Sequence, residues 1–494
     1  MNTATQKQSL ESVRKFARSA LTVLSFACIF GFKFIPPFEG LSPVGMEVMG
    51  IFLGAMILWL FININWSSII VLVALMMTPL YTFGQVLSGS IGSWVVSFIV
   101  FSSALCYSLS KVGFFKRCAV WLLTRSVVKK GPWAFLMMMS LSSLIVGSFV
   151  STLTVYMIFV PIIHEIFKEV GYKKGDKVPQ LMTLMLLLFT AISNYTTPIA
   201  HVMPIMGMAL YTQFTGGLQI NFLHYTIVGC ILAIVSSVIM FLILRFCFKA
   251  DFDRLTSLDT DFLRKGVPPM TTEEKISVAV FIGVVVMWMA PGLIEGFAPN
   301  VAAFISSLGT PTPPMIGMVI LSMIHIDGRP ILDIGESLSR GVSWSTFMIV
   351  AATAILGGAV THAEVGLTTW FGNMLAPVLS GFSPLICVLI IVEVAIIMTN
   401  FSSNAVTVTL ITSIAVPMVL AGSLPGINPA ALTFMIGLAA CVAIATPAAS
   451  AQPAIAAGDG WISTSTMFGW GMPLSLLLGV LLTFVGYPIA AILM

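Results

Sequence analysis

From Leu21 to the last residue the chain alternates long apolar runs with short polar intervals. GIFLGAMILWLFI, WVVSFIVFSSALCYSL and ISVAVFIGVVVMWMA are typical runs, and each predicts a helix able to cross a ~30 Å hydrocarbon core. The pattern places spans near 21–38, 45–64, 66–85, 92–109, 179–212 and 222–248 in the first part of the chain. In the second part it places them near 276–292, 298–324, 342–363, 430–457 and 466–494. The expected fold is an all-α polytopic membrane protein with about 11 transmembrane helices. Two intervals, 131–165 and 384–421, depart from this rhythm.

Charge explains the first departure. Lys and Arg cluster at 7–18, 111–130, 168–177 and 245–275, which the positive-inside rule assigns to the cytoplasm. The segment 131–165 therefore enters and leaves on one side, and it is short for two crossings of about 20 residues each. A re-entrant hairpin fits, with its tip at GSFVSTLT, 147–154. A second hairpin at 384–421 opens from the other side and has its tip in TNFSSNAVTVT, 399–409. The organisation expected is a cytoplasmic tail (1–20), a first half (21–249), a cytoplasmic linker (250–275) and a second half (276–494).

Composition agrees: 58% of residues are hydrophobic and 9% charged, which excludes a set of soluble domains. The net charge of +4 resides in short loops, so no nucleic-acid partner is expected. The seven cysteines contain no CxxC pair, and the thirty methionines show no repeated spacing, so both read as packing. The polar, basic N-terminus lacks a clear small-residue cleavage site and reads as a retained tail.

Hydroxyls and amides are costly in hydrocarbon unless something satisfies them. The first tip carries Ser151, Thr152 and Thr154 and is followed by Thr197-Pro198; the second carries Ser403 and is followed, after a similar interval, by Thr446-Pro447. Proline within a span frees backbone carbonyls. Broken segments at matching places in two oppositely oriented halves point to a secondary transporter with inverted repeats. The plainer alternative for either tip alone is a set of hydroxyls that only cap backbone or join helices. Hydroxyl, amide and freed carbonyl oxygens suit a small hard cation such as Na⁺. Helix N-termini at the tips suit a carboxylate, so a dicarboxylate could lie between them without an Arg.

At these residues the chain resembles the divalent anion/sodium symporter family of dicarboxylate carriers, whose hairpin tips carry Ser-Asn-Thr. Here the tips read Ser403-Asn404-Ala405 and Ser151-Thr152-Leu153, while YTTP (195–198) and IATP (444–447) resemble the family's broken helices. Thr152 stands where the family has Asn, Leu153 and Ala405 replace Thr, and Asn400 stands where many members have Glu. The resemblance implies substrate contacts from Ser151, Thr152, Ser403 and Asn404, flanked by Thr197, Pro198, Thr446 and Pro447. It implies one Na⁺ site at Gly147, Ser151, Thr152 and Thr196, and another at Thr399, Ser402, Asn404 and Ala445. It also implies Na⁺-coupled symport of succinate-like di- or tricarboxylates, alternating access by a transport domain against a scaffold, and a homodimer in the inner membrane of a bacterium.

The competing readings are anion exchange without Na⁺, proton coupling through the intramembrane carboxylate of Glu393, and an ion channel. His201 reads either as a carboxylate contact or as a hydrogen-bonded core residue. No metal-ligand cluster or Ser–His pairing suggests an enzyme, and no organic cofactor is expected.

Overall fold

The computed structural model describes residues 3–255, 262–265, 267–379 and 381–494, so the middle of the expected 250–275 linker lies outside the described residues. Among the described residues eight helices are long and apolar enough to cross a membrane, or nine if a bent pair is one span. Among the described residues strands are confined to one antiparallel pair, His325–Ile326 with Arg329–Pro330. The chain is an integral membrane protein of helical architecture. Its helices begin where the sequence supplies caps. Ser42 accepts from the Gly45 N–H at 2.9 Å ahead of Pro43, and Asn428 accepts from Ala430 N–H and Ala431 N–H ahead of Pro429.

Burial separates two kinds of helix. Long helices such as Thr272–Ile294 and Phe222–Cys247 keep one side of Val, Ile, Leu and Phe exposed, as contact with lipid requires. The shorter Lys177–Ser193, Val202–Phe214 and Pro429–Ala439 are buried nearly all round. A helix apolar on every side belongs at the centre of a protein. These central helices run directly into two non-helical stretches, 194–201 and 440–450.

The intervals 131–165 and 384–421 are each a pair of helices that pack on one another: Pro132–Gly147 with Thr152–Val170, and Pro384–Phe401 with Asn404–Leu420. The turns joining them, at 148–151 and 402–403, face the two non-helical stretches. Glycine allows the close approach that holds those stretches in place. A Cβ at Gly229 of Phe222–Cys247 would strike the Tyr195 carbonyl, and one at Gly471 of Thr464–Leu481 would strike Ala445. Tyr195 and Ala445 occupy similar places beside Thr197 and Thr446.

Several elements differ from the sequence pattern, three of them among the apolar runs. The third span ends at Met76, because Pro79 has no N–H to give and disfavours helix at the residue before it. The run 298–324 is two helices, Pro299–Ser307 and Thr312–Met323, bent by 74° around Gly309 and Pro311. A further helix, Leu367–Leu379, fills an interval to which the pattern assigned no element. The early and late parts of the chain are clasped by Arg117, which donates to the fully buried Glu274 carboxylate at 2.6 and 2.8 Å.

Candidate functional site

Each turn joins two helix ends and faces a stretch that contains a Thr-Pro pair. Ser151 caps Thr152–Val170: its Oγ accepts from the Thr154 N–H at 3.4 Å and lies 2.9 Å from Thr154 Oγ1. In the stretch 194–201, Pro198 disfavours helix at Thr197, whose hydroxyl is then free to reach across and donate to the Ser148 carbonyl. The second turn repeats the contact: Thr446, ahead of Pro447, donates to the Asn400 carbonyl at 2.5 Å.

The second turn has further ties. Asn400 is fully buried, and its Nδ2 donates to Ile396 O at 2.9 Å and Val442 O at 2.8 Å. Its Oδ1 accepts from Ile444 N–H at 3.0 Å and Ala445 N–H at 2.8 Å. One amide thus meets four backbone groups, three of them in the non-helical stretch 440–450, where low-polarity surroundings make such groups expensive to leave bare. Thr399 Oγ1 lies 2.9 Å from both Asn404 Oδ1 and Ala440 O, a group of three neutral oxygens of the kind that suits Na⁺. No equivalent group forms among the candidates at the first turn. Gly147 is pressed against Ser193, Ser151 is turned to Thr154, and Thr196 donates to Ser193 O at 2.7 Å.

Between the turns lies a cavity of about 590 Å³. Residues from the N-termini of five helices line it: Ser151 and Thr152, His201 and Val202, Ser343 and Thr346, Asn404, and Ser450 and Ala451. Each N-terminus presents unpaired N–H groups and the positive end of a helix dipole. Among the described lining residues no carboxylate is present, and Arg340 is the one fully charged side chain. Arg340 sits on Ile334–Gly341, which is held to Trp94–Lys111 by Glu336. That carboxylate takes hydrogen bonds from Lys111 Nζ at 2.5 Å and Tyr107 OH at 2.9 Å. The Lys111 ammonium, with the Tyr107 hydroxyl, holds the Glu336 carboxyl below its ordinary range. The cavity is therefore arranged to receive an anion.

Of the residues singled out in the sequence, the cavity brings together Ser151, Thr152, Pro198 and Asn404, with His201 beside them. Thr197, Ser403, Thr446 and Pro447 do not line it, and neither do Gly147, Thr196, Thr399, Ser402 and Ala445. Thr197 and Thr446 spend their hydroxyls on turn carbonyls, and Ser402 donates to Met398 O at 2.8 Å. His201 caps Val202–Phe214 through Nδ1, which accepts from Met203 N–H at 3.3 Å. Glu393 lies away from the cavity against Gly479, and neither of its oxygens has a hydrogen-bond partner. Sequence reasoning missed Gln452, Arg340 and the polar edge of Trp94–Lys111 (Ser102, Ser103, Cys106, Tyr107, Ser110). The last was readable as a stripe at helical spacing, and Gln452 as an amide soon after a Thr-Pro pair.

Known proteins resemble this chain in sequence and in fold. The family described as "Sodium:sulfate symporter transmembrane region" matches residues 15–494. The chain is 26% identical over 354 residues to the sodium-dependent dicarboxylate transporter SdcS of Staphylococcus saprophyticus, covering 69% of this chain and 66% of that one. It is 25% identical over 225 residues to the L-tartrate/succinate antiporter of Escherichia coli (strain K12), covering 45% and 42%. In fold it resembles the crystal structure of the Alcanivorax borkumensis YdaH transporter, with a TM-score of 0.57 at 13% identity, covering 83% of this chain and 87% of that one.

Proposed function

Because the chain belongs to the sodium:sulfate symporter family, we propose that it is a secondary carrier of small dicarboxylates, coupled to Na⁺ and working by alternating access. The observation that carries this reading is the convergence of five helix N-termini on a cavity whose described lining residues include no carboxylate. Two carboxylates separated by a short linker are held by N–H groups and neutral side chains. Among the described lining residues Arg340 is the one Lys or Arg side chain, so release breaks at most one such ion pair. The three oxygens of Thr399, Asn404 and Ala440 support Na⁺ as the co-transported ion at the second turn. Na⁺ there would draw Asn404 toward its substrate-binding position, so cation and anion would bind in a coupled way.

On the same reading the two helix pairs are re-entrant hairpins of opposite orientation within inverted repeats, moving together against the longer outer helices. The paired contacts Thr197–Ser148 and Thr446–Asn400 support the repeat. The basic clusters support a cytoplasmic N-terminus, and a bacterial plasma membrane and a homodimer complete the reading. A second reading, exchange of one dicarboxylate for another, is favoured by the absence of an oxygen cluster among the candidates at the first turn.

Reconstituted protein decides between them. Labelled succinate should enter liposomes under an inward Na⁺ gradient. Uptake driven only by internal succinate selects exchange. If neither condition drives uptake, the carrier reading falls.

A further inference from the structure

Among the described residues that line the cavity, two carry a side-chain amide: Asn404 and Gln452. Asn404 belongs to the second turn. Gln452 lies at the start of Ala451–Asp459, far along the chain from the first turn, yet its Nε2 donates to the Thr152 hydroxyl oxygen. Its Oε1 accepts from Ser450 Oγ at 2.5 Å. Both Gln452 and Thr152 are 8% exposed, so the amide is held by both partners in a confined space and cannot swing freely.

The amide stands with Nε2 toward Thr152 and Oε1 toward Ser450. An amide nitrogen carries two N–H bonds, and Thr152 takes one of them. The second has no acceptor among the described residues. Asn404 is arranged in the same manner: Oδ1 is 2.9 Å from Thr399 Oγ1, which leaves its Nδ2 unused. One amide nitrogen with donor capacity to spare therefore stands at each turn, on the wall of one cavity.

We infer that Gln452 is a specificity-determining residue of the site, giving its second Nε2–H to one substrate carboxylate while Asn404 Nδ2 serves the other. This rests on the carrier reading above and adds to it the selection of diacids over monoacids. A monocarboxylate leaves one buried donor unpaired, and a site built around such donors rejects a ligand that lacks the acceptor. Gln452 also ties the first turn to the stretch 440–450 through Ser450, which lies 3.2 Å from Ala443 O. The separation of the two amides, and so the length of diacid accepted, is set by that tie.

The test uses the full chain in liposomes, with labelled succinate as substrate and butyrate, a monoacid of the same carbon count, as competitor. Gln452→Met keeps the length and removes the amide. It should raise KM for succinate about tenfold or more while Vmax changes by less than about twofold. Butyrate should then compete better against succinate than it does in the parent protein. Gln452→Glu puts a carboxylate against a carboxylate and should raise KM further. A purely structural strap predicts the opposite pattern, in which Gln452→Met lowers Vmax or thermal stability and leaves KM and the butyrate ratio unchanged. That result overturns the inference. Should Gln452→Met not fold, Gln452→Asn decides the matter, since it withdraws the donor by one methylene, and an unchanged KM again overturns it. A parent protein that takes up no succinate sinks the carrier reading itself, before any variant is compared.

Discussion

The two turns share one contact and differ in almost everything else. Thr197 and Thr446 each donate to a carbonyl at or beside a turn, Ser148 within the first turn and Asn400 at the end of the helix that leads into the second. Around the second turn the buried amide of Asn400 then satisfies Ile396 O, Val442 O, Ile444 N–H and Ala445 N–H. The first turn has no such amide. The nearby Asn194 is buried with neither side-chain atom bonded, and Thr152 takes its hydrogen bond from Gln452 in the later part of the chain. The second turn is thus held by its own surroundings, whereas the first depends on a partner about 300 residues away. A self-contained network is suited to keeping a cation site fixed. One that leans on a distant element is suited to changing when that element moves.

The largest expected effect tests the network of the second turn. Asn400→Leu leaves two buried N–H groups without an acceptor and should cost about 3 kcal/mol or more of stability. Thermal unfolding in detergent measures it, and a loss below about 1 kcal/mol would mean that water or backbone movement replaces the amide.

Next in size is the cation response. Asn404→Ala should raise the Na⁺ concentration for half-maximal uptake about tenfold, because an oxygen of the Thr399 cluster is removed. Thr152→Ala should change it by less than about threefold. Equal effects would erase the distinction drawn between the turns.

The shared contact should be worth the same at both. Thr197→Val and Thr446→Val should each cost about 1 kcal/mol. A much larger loss at Thr446 would show that its bond is coupled to the Asn400 network, and a double variant with Asn400→Leu would then be less than additive.

The smallest effect is expected at Asn194, where no hydrogen bond is lost. Asn194→Leu should leave stability within about 0.5 kcal/mol of the parent. If the variant unfolds several degrees earlier only when Na⁺ is present, Asn194 binds the ion and the first turn holds more than its present bonds show.

Much of this was legible in the chain. The apolar runs located most of the long helices, because the length of a span is dictated by the bilayer and not by its neighbours. The Thr-Pro pairs located both non-helical stretches, since a proline's missing N–H acts locally wherever it occurs. The bend at Gly309–Pro311 had the same kind of signal in the residues GTPTPP, yet the run around it was read as one span. The site was only partly legible. Ser151, Thr152, Pro198 and Asn404 reach the cavity, but Ser403 and the Thr-Pro hydroxyls do not. Which side of a short non-helical segment faces a cavity depends on torsions that no periodicity records.

The sequence by itself determined that this is a helical membrane protein, that its helices break at the two Thr-Pro pairs, and that polar groups gather at those breaks. Each of these follows from local chemistry: transfer of apolar surface out of water, and backbone hydrogen bonds that proline removes. The tertiary structure alone decided that five helix N-termini meet at one cavity, that Asn400 serves backbone rather than substrate, and that Gln452 supplies an amide beside Thr152. Those are relations between residues tens to hundreds of positions apart, and only the packing of buried helices brings such residues within hydrogen-bond distance.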